Sequence, residues 1–337
     1  MRIAIVNDLP IAAEALRRAV ISRAEHEVIW TARDGAAAVA ACRLDLPDLI
    51  LMDLIMPGMD GVEATRRIMA ETPCPILIVT VSVGSNTGRV FDAMGHGALD
   101  AIDTPSLGTA TPQASAALLL SKIDSIRKLL STRTGEFEIV RGNTATMPIL
   151  APAPLVAIGS SAGGPAALYT LLNALPEDFP AAVVVVQHVD EQFARGMAEW
   201  LNERSRLRVR VAEQGDRLER GTVLLAGTND HLTLTRGGRL GYTPEPSAYA
   251  YRPSVDVLMH SICRFWSLPA AGVLLTGMGS DGAAGLKAMR DKGFHTIAQD
   301  QASSSVYGMP KAAAKLNAAV DILPLGQIAT RLTRLFQ

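Results

Sequence analysis

Short apolar runs alternate with helical stretches along nearly the whole chain, and no other feature restricts its fold so much. Ile3–Val6, Val28–Ala32, Leu49–Met52, Ile76–Val81 and Ala98–Ile102 read as strands. Each sits in a βα unit, and consecutive parallel strands need the long crossover that a helix supplies, so a parallel sheet is expected. Pro10 suits a first helical turn, and Asp60 with Glu63 forms a capping-box pattern before Ile68 and Met69, a helix that Pro73 and Pro75 then close. A last amphipathic stretch carries Leu119, Leu120, Ile123, Ile126, Leu129 and Leu130 and ends near Ser131. Residues 132–152 lose periodicity, gather Thr, Gly and Pro, and read as a linker. The alternation then resumes with Leu155–Ile158, Ala182–Val186, Val209–Val211, Val223–Leu225, Ala271–Leu275 and Thr296–Ala298. Gly237-Gly238, between two short apolar alternations, reads as a hairpin inserted among the parallel strands. The expected class is α/β with two doubly wound parallel-sheet domains, residues 1–131 and 153–337.

Composition narrows the function. Of 337 residues, 48% are hydrophobic and 19% charged, which excludes a mainly disordered chain. The 32 basic and 33 acidic residues nearly cancel, so nothing global favours nucleic acid or an anionic membrane as partner. Cys42, Cys74 and Cys263 offer neither a metal spacing nor a disulfide framework, which suits a reducing compartment. Asp8 comes too early for a signal-peptide core and no apolar run approaches a membrane span, so a cytoplasmic location without membrane insertion is expected.

In a parallel sheet, residues at the carboxyl ends of adjacent strands converge where ligands bind. Asp8, Asp53 and Thr80 occupy such ends in the first half. Paired carboxylates suit Mg²⁺, and a carboxylate beside the metal can accept a phosphoryl group; alternatively both acids cap turns. Asn7-Asp8, the run Met52-Asp53-Leu54-Ile55-Met56-Pro57-Gly58-Met59-Asp60-Gly61, Thr80 and Gly97-Ala98 resemble a response-regulator receiver domain of flavodoxin-like fold. The resemblance implies Asp53 as phosphoacceptor, Asp8, Asp53 and the Ile55 carbonyl as Mg²⁺ ligands, and Thr80 as the switch hydroxyl. Asn7 stands where receivers usually carry a second acid, and Thr104 stands where they carry a lysine before proline.

In the second half, Gly159-Ser160-Ser161-Ala162-Gly163 follows a strand and precedes a helix, a GxSxG pattern that exposes a serine beside backbone N–H groups; a plain glycine-rich turn also fits. Gln187-His188 ends the next strand, and Thr276-Gly277-Met278-Gly279-Ser280-Asp281-Gly282 ends a third. Ser161, His188 and Asp281 can therefore meet on one rim, in an order unlike that of the α/β-hydrolases. A rival is a dinucleotide site, since Gly277–Gly282 is a literal GxGxxG and Asp300 lies where a ribose-binding acid belongs; Asp281 would then sit unfavourably beside the pyrophosphate.

The strings IGSSAGG, QHV, YRPSVDVL and LLTGMGSDGAAGL, following a receiver and linker, resemble the CheB family of chemotaxis response regulators, which are protein-glutamate methylesterases and protein-glutamine glutaminases. The resemblance implies a Rossmann-like catalytic domain needing no cofactor, with Ser161 as nucleophile, His188 as base and then acid, Asp281 as its orienting carboxylate and the Met278 N–H in the oxyanion hole. It also implies a methyl-accepting chemoreceptor as substrate, a CheA-type histidine kinase as phosphodonor, a receiver packed over the cleft until phosphorylated, and a shallow, open cleft. Ala162 replaces a usual threonine, and Ala226-Gly227-Thr228-Asn229 a usual Ala-Pro-Gly segment. With Asn7 and Thr104, these departures resemble the WspF branch of surface-sensing pathways. A DNA-binding regulator lacks its recognition-helix signature, whereas a receptor-binding pseudoenzyme stays open through Ala162. Ser254 reads as a helix cap, His231 as a rim or loop residue, and His260 and His295 carry no assigned role.

Overall fold

The computed structural model describes residues 1–81, 86–105, 112–131, 153–247, 249 and 251–337, so the linker expected at 132–152 lies outside the described residues. Five parallel strands form the first sheet: β1 (Arg2–Val6), β2 (Glu27–Ala32), β3 (Leu49–Met52), β4 (Ile76–Thr80) and β5 (Asp100–Asp103), in the order β2-β1-β3-β4-β5. Helices α1 (Pro10–Ile21), α2 (Gly35–Leu44), α3 (Gly61–Glu71), α4 (Thr87–Gly95) and α5 (Pro112–Ser131) connect or follow them. Local signals act as expected: Pro10 opens α1, and the Asp60 carboxylate accepts the Glu63 N–H at 2.9 Å to cap α3. Strand residues alternate between two cores. Ile3 and Ile5 pack with Leu16 of α1 and Leu119 and Ile123 of α5, while Ala4 and Val6 face Ala38 of α2 and Ile68 of α3.

The second sheet has seven strands: β6 (Leu155–Ser160), β7 (Ala182–Gln187), β8 (Arg208–Val211), β9 (Thr222–Leu225), β12 (Ala270–Leu274), β13 (His295–Gln299) and β14 (Asp321–Leu323). Their order is β14-β13-β12-β6-β7-β9-β8, all parallel. Strand β10 (His231–Leu234) and strand β11 (Leu240–Thr243) form the expected hairpin as a separate antiparallel pair. Helices α6 (Gly164–Ala174), α7 (Glu191–Asn202), α8 (Val255–Phe265), α9 (Ala283–Asp291), α10 (Met309–Lys315) and α11 (Leu325–Phe336) complete this half. Strand β6 is flanked by β7 on one side and β12 on the other, so the chain winds outward from it in both directions. That makes the end of β6 the topological switch point, where open α/β sheets form a crevice.

The two sheets meet through α4, which packs on α6 and α7. The Phe91 ring lies 5.9 Å from that of Trp200, Tyr169 flanks Trp200 at the same distance, and one hydrophobic core runs through this junction. A cavity of about 350 Å³ lies in the seam, lined among others by Val62, His96 and Arg204.

Candidate active site

The Ser161 turn is held from both flanking strands. Ser160 of β6 pairs with Gln187 of β7, and the His188 N–H donates to the Ser160 carbonyl at 3.0 Å, so Ser161 and His188 leave adjacent strand ends together. On the other side the Ser161 N–H donates to the Thr276 carbonyl at 3.1 Å, and Thr276 Oγ1 donates to the Ala162 carbonyl at 2.9 Å. Gln187 Nε2 binds the Ser161 carbonyl at 2.9 Å while its Oε1 accepts from Ser160 Oγ at 2.7 Å. Gly163 then adopts φ of 76°, a left-handed conformation that lets the chain turn from strand into α6 without Cβ strain. Sequence reasoning assigned no role to Gln187, although its place one residue before His188 at a strand end was a usable signal.

His188 and Asp281 meet as expected. His188 Nε2 lies 2.7 Å from Asp281 Oδ2, and His188 Nδ1 is buried without a partner among the described residues. Asp281 is 8% exposed and accepts the Val255 N–H at 2.7 Å, the Asp256 N–H at 3.1 Å and Ser254 Oγ at 2.7 Å. Burial opposes its ionisation, yet hydrogen bonds from His188, Ser254 and the start of α8 outweigh that and hold the carboxyl below its usual range. A carboxylate at the first turn of α8 also faces the positive end of the helix dipole. With Asp281 ionised, Nε2 carries the imidazole proton and Nδ1 is left as the acceptor, the reverse of the usual serine-protease assignment.

Met278 is half-buried in the same turn, between Gly277, whose N–H donates to the Val306 carbonyl at 3.0 Å, and Gly279. No hydrogen bond from the Met278 N–H exists among the described residues. Ser161 is buried, with 6% of its surface exposed. The Gly163 N–H, two residues after the serine, donates at 2.9 Å to the carbonyl of Met94 on α4.

Other expectations change. Ser254 does cap α8, accepting the Val257 N–H at 3.4 Å, but the same hydroxyl donates to Asp281, so a purely capping role is too narrow. His231 is fully buried rather than on a rim; its Nδ1 accepts the Ser254 N–H at 3.1 Å. Asp300 accepts the Ser303 N–H at 3.0 Å within its own turn, so the acid a dinucleotide site would turn to ribose is engaged locally, and Asp281, whose charge would oppose a pyrophosphate, is paired with His188. His295 pairs with Asp321, which Arg331 also holds.

In the first half, the end of β3 carries Asp53, 4% exposed, and Asn7 donates its side-chain N–H to Asp53 Oδ2 at 3.0 Å. Asp8 is half-buried after β1, and Thr80 is buried at the end of β4. Burial, with Asp8 nearby, pushes the Asp53 carboxyl up to about 6. Among the described residues no lysine or arginine pairs with Asp53 or Asp8, so the cluster lacks a counter-charge and suits a cation. The Thr104 N–H donates to the Thr80 carbonyl at 2.8 Å, and the Thr104 hydroxyl is buried without a partner where receivers place a lysine.

The family model described as CheB methylesterase matches residues 156–332, and the one described as response regulator receiver domain matches residues 3–108. The chain belongs to the CheB methylesterase family. A CheB relative from Pseudomonas syringae pv. syringae, "Protein-glutamate methylesterase/protein-glutamine glutaminase 2", is 60% identical across 100% of this chain and 99% of its own. The Pseudomonas aeruginosa protein of the same name, numbered 3, is 57% identical across the full length of both. Among solved structures, the catalytic domain of Thermotoga maritima CheB methylesterase is 33% identical and covers 55% of this chain and 100% of its own, with a TM-score of 0.52. The receiver and methylesterase halves of this CheB chain follow one another in the order expected from sequence.

Proposed function

We propose that this chain is a phosphorylation-regulated protein-glutamate methylesterase that also deamidates glutamine, acting on methyl-accepting chemoreceptors. The observation that carries the reading is the His188–Asp281 pair at 2.7 Å with Nδ1 left unpartnered at the rim where the Ser161 turn begins. Ser161 Oγ attacks the side-chain carbonyl of the methylated glutamate as His188 Nδ1 takes its proton. Asp281, anchored by the start of α8, keeps the proton on Nε2 and stabilises the imidazolium. The Met278 N–H receives the oxyanion. His188 returns its proton to the leaving methoxide, releasing methanol, and then activates water to hydrolyse the glutamyl-serine ester. With glutamine the leaving group is ammonia.

The receiver, residues 1–131, regulates the catalytic domain, residues 153–337, across the linker. Asp8, Asp53 and the Ile55 carbonyl would hold Mg²⁺, which neutralises charge when a phosphoryl group is bound. Asp53 accepts that group from a CheA-type histidine kinase, and Thr80 follows it. Asn7, Thr104, Ala162 and the Ala226–Asn229 segment support a reading nearer the WspF branch, whose receptors serve surface sensing. The protein works in the cytoplasm; no described helix is long and apolar enough to cross a membrane.

Methanol release from methyl-labelled receptor membranes tests the reading. Replacing Ser161 with Ala is expected to lower release by at least about 10³-fold, and a small phosphodonor with Mg²⁺ to raise the wild-type rate. Equal release by the two proteins would remove Ser161 as nucleophile. No release by wild type on its cognate receptor would favour a binding regulator instead.

A further inference from the structure

We propose that Tyr251 is a catalytic residue of this site: its hydroxyl donates a hydrogen bond to the substrate carbonyl oxygen as that oxygen gains negative charge, while its ring fixes the plane of His188. The proposal rests on the methylesterase reading and assigns a further group to the same acyl-transfer centre.

Three observations converge on it. The Tyr251 ring stacks on the His188 imidazole with centroids 3.9 Å apart and planes only 9° from parallel. The Asp281 bond holds one edge of the imidazole and the stack covers one face, so the ring cannot swing while it exchanges protons. An aromatic face also favours the imidazolium that forms when Ser161 attacks.

The Tyr251 hydroxyl is buried and has no hydrogen-bond partner among the described residues. Leaving such a group unpaired costs stability, whereas phenylalanine would fill the same space without that cost. A partner that arrives only with the substrate accounts for the hydroxyl.

Its location identifies the partner. A Cβ placed on Gly279 would meet Tyr251 Oη at 3.4 Å, and one placed on Gly277 would meet Ser161 Cβ at 2.8 Å. The hydroxyl and the nucleophile thus border the same three-residue turn, with Met278 between them. Two buried polar atoms lack partners here, His188 Nδ1 and Tyr251 Oη. The first is an acceptor for the serine proton and the second a donor for an oxyanion, the two roles acyl transfer requires. Burial, reinforced by the Asp281 charge, pushes the phenol pKa well above its usual value, so the group remains a donor throughout the working range. It gives a hydrogen bond and keeps its proton, and no bond to Tyr251 forms or breaks.

The test compares full-length wild type, Tyr251→Phe and Tyr251→Leu, all with Mg²⁺ and a small phosphodonor. Two rates are read: methanol release from methylated receptor membranes, and labelling of Ser161 by a fluorophosphonate, which needs the same nucleophile and oxyanion donors. Tyr251→Phe is expected to lower kcat and labelling about ten- to a hundredfold, with KM within about twofold and Tm unchanged or higher. Tyr251→Leu, which also loses the stack, falls further. A phenylalanine variant with both rates within about twofold of wild type would overturn the proposal, as would parallel loss of rate and Tm. If wild type releases no methanol, the methylesterase reading fails, while the labelling rates still decide the role of Tyr251.

Discussion

Two buried carboxyl groups lie side by side at the start of α8, and their environments drive them apart. Asp281 collects His188, the Ser254 hydroxyl and two helix N–H groups and stays ionised. Asp256 has the Gly285 N–H at 2.6 Å but faces the Asp281 charge, and burial together with that charge pushes its carboxyl up to about 8. That shift favours the neutral acid beside the Asp281 carboxylate at neutral pH. Because the folded value lies above the ordinary 3.8, the folded chain holds a proton that the unfolded chain releases. The stabilisation from Asp256 is complete below about pH 4 and drains away as pH rises to about 8. Asp256→Asn, which copies the neutral acid, is expected to gain stability relative to wild type as pH increases from 5 to 8. Urea unfolding of both proteins across that range checks it, and a pH-independent difference would mean that Asp256 is ionised throughout. At this scale Ser161 and His188 were legible because each directly follows a strand, and Asp281 because it lies in a contiguous glycine-rich motif between β12 and α9. Tyr251 and Ser254 were not, because a ring stack and a second hydrogen bond from a capping hydroxyl leave no periodic trace.

The position of α8 relative to the sheet decides whether Asp281 is held. Helix α8 approaches β6 at Gly159, where a Cβ would meet Val255 Cγ1 at 2.3 Å and Cγ2 at 2.8 Å. Val255 is β-branched and fully buried, so it cannot turn aside. Gly159→Ala is expected to push the start of α8 outward, costing about 1–3 kcal/mol of stability. It should lower methanol release as well, since the displaced Val255 and Asp256 N–H groups are those that anchor Asp281. Urea unfolding and the release assay read the two effects, and an alanine variant as stable as wild type would show that the helix can yield. Most elements were legible, since strands of four to six residues, such as β3 and β6, are almost wholly apolar. Strand β14 was not: its three residues Asp321–Leu323 are all partly or largely exposed, and it is defined by pairing with β13.

Across the whole molecule, α4 of the receiver is set against the Ser161 turn of the methylesterase half. The Met94 carbonyl accepts the Gly163 N–H, and Gly95 lies so near α6 that a Cβ there would meet the Ala166 Cβ at 2.9 Å. Lys122 of α5 adds a second tie, pairing with Asp100 and lying 4.0 Å from Asp190 at the start of α7. A side chain at Gly95 has no space unless the two halves separate. Gly95→Leu is thus expected to raise methanol release several-fold without a phosphodonor and to shrink the further gain from one; unchanged basal release would mean that this contact does not restrain the enzyme. The sequence by itself determined the two α/β halves, the loops after strands that carry Asp53, Ser161, His188 and Asp281, and the family, because those follow from apolar periodicity and contiguous motifs. Tertiary structure decided which imidazole nitrogen faces Asp281, which of two neighbouring acids is ionised, what stacks on His188 and where α4 rests. Each of these depends on distances between segments far apart in the chain, set by packing that no local pattern encodes.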